Sequence, residues 1–108
     1  MSDEGLTLRQ DGHVRGKVLE TTFGAVLVAH GLREAPAGRT YQLWMMDCKG
    51  ASSDCRVWSG GLFDMRDGWD VTWYHGSMQK VDRAAVTLEP EAGSDQPTHD
   101  PVCSSAWR

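Results

Sequence analysis

Along most of this chain apolar and polar residues alternate with a period of two, the repeat of a half-buried β-strand. Val86 and Leu88 alternate with Thr87 and Glu89. In "TYQLWMMD", Tyr41, Leu43 and Met45 fall on one side, and Gln42, Trp44 and Met46 on the other. In "WDVTWYH", Trp69, Val71 and Trp73 share a side. No window of a dozen residues keeps the i, i+3, i+4, i+7 pattern of a helix between two caps. The pattern predicts strands at 6–9, 14–20, 25–29, 40–47, 56–63, 69–75 and 84–89, with a short last one at Val102. "AVLVA" is continuously apolar, which predicts a central strand covered on both faces. Asp11-Gly12 signals a tight hairpin, and Gly60-Gly61 signals a bulge or close backbone approach.

The 12 glycines and 4 prolines punctuate these runs about every ten residues, which favours a sandwich or barrel. The expected fold is all-β. It is a single-domain antiparallel β-sandwich of seven or eight strands over residues 1–108, Greek-key and immunoglobulin-like in broad architecture. One long polar stretch, "EPEAGSDQPTHDP", follows a good strand. It reads as a structural turn. Pro90 cannot donate to a ladder, Gly93 can take a positive φ, and Ser94 or Asp95 can bond local backbone. A ligand or partner loop is the alternative.

Composition narrows the function. A net charge of −4 and scattered basic residues argue against a nucleic-acid surface. The longest apolar run, "GAVLVAHGL", is about half the ~20 residues of a membrane helix. No signal peptide is visible at "MSDEG". No P-loop, G-x-S-x-G or H-E-x-x-H motif occurs, and no Ser, His and Asp spacing pairs a nucleophile with a base. Asp64, Asp67 and Asp70 lack the spacing of a calcium loop. A non-enzymatic protein is expected, with no catalytic residue, metal or cofactor.

Three segments in order, "APAGRTYQLWMMD", "WSGGLF" and "AAVTLEPEAGSDQPT", resemble the C-terminal, extracytoplasmic domain of anti-sigma-K factors. The resemblance covers about residues 12–102. It is carried by Gly38, Tyr41, Gln42, Leu43, Trp44, Gly61, Phe63, Val86, Thr87, Glu89, Pro90, Gly93, Ser94, Gln96, Pro97 and Thr98. It implies a regulatory or sensory domain on the outer side of the bacterial cell membrane. There it would control release of an extracytoplasmic-function sigma factor through regulated proteolysis. Family members carry a cytoplasmic sigma-binding region and a transmembrane helix ahead of this domain. Contact with sigma factor and membrane is therefore implied only through those segments. A protease or the rest of the parent chain would be the direct protein partner. The alternative is a free-standing β-sandwich module binding a small ligand, sugar or peptide.

Cys48 and Cys55 flank six residues of a hairpin. Cross-strand partners sit close enough for a disulfide, and an extracytoplasmic setting permits one. A bridge to Cys103, free thiols and a zinc site remain alternatives. His13, His30, His75 and His99, with Met45, Met46, Met65 and Met78, form no tight copper-binding cluster. Methionine more often fills core gaps. Trp44, Trp58, Trp69 and Trp73 are expected in the core, with an aromatic binding face as the alternative; Trp107 is expected to be partly exposed.

Overall fold

The computed structural model of the chain describes residues 5–48 and 55–106. It contains eight strands: β1 (Leu6–Gln10), β2 (His13–Thr21), β3 (Gly24–His30), β4 (Arg39–Cys48), β5 (Cys55–Phe63), β6 (Trp69–Tyr74), β7 (Arg83–Pro90) and β8 (Cys103–Ser105). No helix occurs among the described residues. The strands form one antiparallel sheet in the order β5-β4-β7-β8-β1-β2-β3-β6. The sheet folds over its own core until β5 and β6 lie side by side. Side chains join that seam. Trp58 Nε1 donates to the Tyr74 hydroxyl at 2.8 Å, and the Asp64 amide donates to Asp70 Oδ2 at 3.0 Å. The expected all-β, sandwich-like architecture is present as a nearly closed barrel. Read through the seam, β7, β4, β5 and β6 are neighbours in that order, which is the Greek-key arrangement.

Local chemistry explains the corners. Asp11 and Gly12 both have positive φ, 50° and 84°, as the two central residues of a type I′ hairpin require. The Arg39 amide donates to the Pro36 carbonyl at 3.0 Å, and Gly38 sits at the third turn position with φ 79°. On β5 the pairing with β4 jumps from Gly61 to Ser59, so Gly60 is the extra residue of a bulge. A Cβ on Gly60 would stand 3.0 Å from Leu43, so the bulge also brings backbone against the core.

The core gathers Leu6, Leu8, Val18, Leu27, Leu43, Met45, Phe63, Met65 and Val86. Tyr41 stacks on Phe63 with ring centroids 5.5 Å apart, and its hydroxyl donates to the Arg33 carbonyl at 2.7 Å. One expectation needs correction. "AVLVA" is neither central nor covered on both faces. β3 lies next to the edge strand β6; Ala25, Leu27 and Ala29 are buried, while Val26 and Val28 are half-exposed. β8 sits between β7 and β1 and stitches the two halves of the sheet together.

Cys48 and Cys55 are Cα partners at the end of the β4–β5 ladder, 4.2 Å apart, and are joined by a disulfide. Cys103 is buried and free, and burial pushes its thiol up to about 12 against the pull of Arg15. Such a thiol is an inert core residue. Trp107 lies outside the described residues.

Candidate functional site

The sheet has two outer surfaces of opposite character. The first lies over β4 and β7. Register places Thr40 opposite Glu89, Gln42 opposite Thr87, and Trp44 opposite Ala85, all pointing away from the core. In an open sandwich such positions face water. Here all six are buried. The segment 91–102 folds back over them as a roof.

The roof is pinned at both ends and through its middle. The Glu91 amide donates to the Gly38 carbonyl at 3.0 Å, and the Val102 amide to the Val86 carbonyl at 2.7 Å. A turn from Pro90 to Gly93, closed at 2.7 Å with Gly93 at φ 83°, aims the chain back over the sheet. Gln42 then holds Ser94 twice, accepting from its amide at 2.9 Å and donating to its carbonyl at 3.1 Å. Gln42 Nε2 also donates to Ser59 Oγ at 2.9 Å, tying the roof to β5.

The middle pin is Glu89, which is fully buried. Its carboxylate accepts from four donors. The Thr87 hydroxyl and the Thr98 amide reach Oε2, at 2.6 and 3.0 Å. The Ser94 and Thr98 hydroxyls reach Oε1, at 2.7 and 2.6 Å. Trp44 Nε1 donates to Thr87 Oγ1 at 2.7 Å, extending the chain of bonds under the roof. The proton of the Thr98 hydroxyl is spent on Glu89, so His99 Nδ1, 2.8 Å away, must be the donor to that oxygen. Burial alone would raise the Glu89 pKa. The four donors outweigh it and hold the carboxyl at about 2. Among the described residues this buried anion is held by neutral donors, which fill its lone pairs.

The residues of the three sequence motifs thus converge on one place. Gly38, Gln42, Trp44, Thr87, Glu89, Pro90, Gly93, Ser94 and Thr98 build the roofed face. Tyr41, Leu43, Phe63 and Val86 lie beneath it in the core. Gly61, at φ 125°, carries the β5 bulge past Ser59. Gln96 and Pro97 are exposed on the roof itself. The sequence reading had Glu89 only as the end of a strand and Ser94 as a local cap; their pairing was missed. A Thr-x-Glu followed by Ser and Thr in a polar loop is the signal that could have found it.

The second outer surface, over β2, β3 and β6, has no roof among the described residues. Register aligns Leu19, Val26 and Trp73 in one row, Lys17, Val28 and Val71 in the next, and His30 with Trp69 in a third. Trp69 is 58% exposed and Trp73 60%. Phe23, at the tip of the β2–β3 hairpin, is 82% exposed. A cavity of about 460 Å³ opens between Phe23, Trp73, Tyr74, Thr21, Thr22 and His75. This corrects the expectation of a core role for Trp69 and Trp73. β6 alternates as expected, but its outward side meets no covering segment among the described residues. Trp58 is half-buried against the core, with the Arg56 guanidinium 5.8 Å from its ring centroid.

Among the described residues no group of three His, Cys, Asp or Glu is placed to hold a metal ion. Both Asp70 carboxylate oxygens accept backbone amides, from Asp64 and Val71, so that side chain braces a turn. No helix among the described residues is long and apolar enough to cross a membrane.

Comparison with known proteins gives three results. The family model "Anti-sigma-K factor rskA, C-terminal" matches residues 10–102. A Streptomyces griseus protein described as "Uncharacterized protein in phr 5'region" is 33% identical over 78 residues. That match takes in 72% of this chain and 30% of the relative, so the chain spans under a third of its length. No solved structure matches significantly. The match runs from the β1–β2 turn through the whole roof, and on it the chain belongs to the anti-sigma-K factor C-terminal domain family.

Proposed function

We propose that this chain is the regulatory, signal-receiving module of a longer anti-sigma factor. Within that protein it stands on the extracytoplasmic side of the membrane and governs when a protease releases the sigma factor. The observation that carries this reading is the family match over residues 10–102, which supports an anti-sigma regulatory role. Two features of the fold support the finer account. The Cys48–Cys55 disulfide suits an oxidising compartment. The roof gives the domain a segment that a signal can loosen without dismantling the sheet, since between its two end amides its attachment rests on a few side chains. A module of this kind acts through its own stability: opening it changes what an adjacent stalk presents to a protease.

The test is replacement in the parent protein. Exchanging this chain for an unrelated β-domain should uncouple the inducing signal from both cleavage and sigma-dependent transcription. Normal induction after the exchange would refute a regulatory role.

A second reading, a module for a small ligand, sugar or peptide, is favoured by one observation. Trp73 and Phe23 border an apolar cavity of the size that small molecules occupy. Saturable quenching of tryptophan fluorescence by one such ligand, abolished by Trp73→Ala, would support it.

A further inference from the structure

We propose that the open face of β2, β3 and β6 is a self-association surface, occupied by the same face of a second copy of this chain. This goes beyond the regulatory reading and does not depend on it.

The first argument is size. Applying the exposed fractions of Phe23, Trp69, Trp73, Leu19 and Val71 to side chains of ordinary area leaves about 500–600 Å² of contiguous apolar surface in water. That is the upper end of what monomers tolerate, and patches of that size mark contact sites. Pairing two such patches face to face buries about 1,000–1,200 Å², at the threshold of a specific interface. The area therefore fits a reversible dimer rather than an obligate one.

The second argument is symmetry. A twofold interface must be self-complementary. The outward stripe Trp69-Val71-Trp73 reads the same in both directions about Val71. With the two β6 strands antiparallel and the axis passing at Val71, each Trp69 meets the other copy's Trp73. The tryptophans stand about 13 Å apart along the strand, leaving a shallow central saddle over Val71 and Val28. Lys17 continues the Val71 and Val28 row two strands from β6, at the rim of the apolar patch. The outward positions of β6 itself, Trp69, Val71 and Trp73, carry no charge.

The decisive experiment is sedimentation velocity across a concentration series, with position 71 as the probe of the axis. Wild-type protein should pass from monomer to dimer with a midpoint between about 10 and 500 µM, the range of a weak, small interface. Trp73→Glu should weaken association about 100-fold or more, with an unchanged circular-dichroism spectrum and melting point showing that it stays folded. Val71→Arg and Val71→Glu should each be monomeric alone, because the axis sets like charges together. Mixed, they should form a one-to-one dimer. A wild-type protein that stays monomeric throughout the series overturns the proposal, and hands the face to another occupant. A dimer that survives Trp73→Glu, or charge variants that fail to rescue one another, overturns it equally.

Discussion

Trp44 and Trp73 sit on outward positions of the same sheet, yet one is wholly buried and the other 60% exposed. Both strands alternate with the same period of two. What differs is what returns over them. Above β4 and β7 the chain comes back as the 91–102 roof, held by Glu89 and Gln42. Above β3 and β6 nothing in the described chain returns. Strand alternation decides which side of the sheet a residue takes, while long-range return of the chain decides whether that side is dry. The buried anion follows from this. A polar loop can lie on a sheet face only if its amides and hydroxyls find acceptors there. Glu89 supplies them in one place, accepting four bonds at once.

The comparison breaks most readily at the tryptophans themselves. Trp44→Ala should cost about 3–5 kcal/mol, the ordinary penalty for emptying a buried aromatic site. Trp73→Ala should change stability by about 0.5 kcal/mol or less, as surface substitutions do. Urea unfolding of the two variants measures both; similar losses would remove the distinction between the faces.

The roof's anchor should show next, through pH. The folded Glu89 carboxyl, at about 2, lies below its ordinary value of 4.5. Its contribution is therefore fully present above pH 4.5 and is lost as pH falls through about 2. The gap corresponds to about 3 kcal/mol. Glu89→Gln should remove most of that at pH 7 and flatten this part of the acid limb, because an amide offers the roof one acceptor oxygen and does not titrate there. Parallel wild-type and variant stability curves from pH 7 to pH 2 would contradict the anchor.

Much of the scaffold was legible in the sequence, and the reasons are local. Asp11-Gly12, Gly60-Gly61 and the alternation of each strand speak through neighbouring residues. The facing cysteines follow from hairpin geometry. The roof was not legible in the same way, because Ser94 meets Gln42 across 52 positions and no local pattern records that pairing. β8, three residues long, is too short to show a period, and its place between β7 and β1 rests on partners far away in the chain. Trp69 and Trp73 misled for a related reason. Aromatic residues suit a pleated strand whether or not its outer face is covered.

The disulfide sharpens the comparison from another side, since it fastens the end of the β4–β5 ladder. Its reduction, or the Cys48→Ser/Cys55→Ser pair, should cost about 2–3 kcal/mol by the loop-entropy account. The protein should stay folded, with a lower melting point and a native circular-dichroism spectrum. Complete unfolding would mean the bridge carries the fold. The smallest expected effect is Gly93→Ala. It forces a side chain into φ 83° and sets a Cβ 3.1 Å from Leu62, which should weaken the roof by about 1 kcal/mol. Amide exchange at Ser94 and Thr98 should quicken while the β1–β2 ladder stays protected. Uniform quickening would show that the roof and the sheet open as one unit.

The most direct test of one roofed and one open face is site-resolved oxidation of the tryptophans by hydroxyl radicals, read by mass spectrometry on dilute protein. Trp69 and Trp73 should react many times faster than Trp44. Glu89→Ala should raise the Trp44 rate and leave the other two unchanged. A native protein in which Trp44 reacts as fast as Trp73, or a Glu89→Ala variant in which Trp44 stays fully protected, would contradict the account.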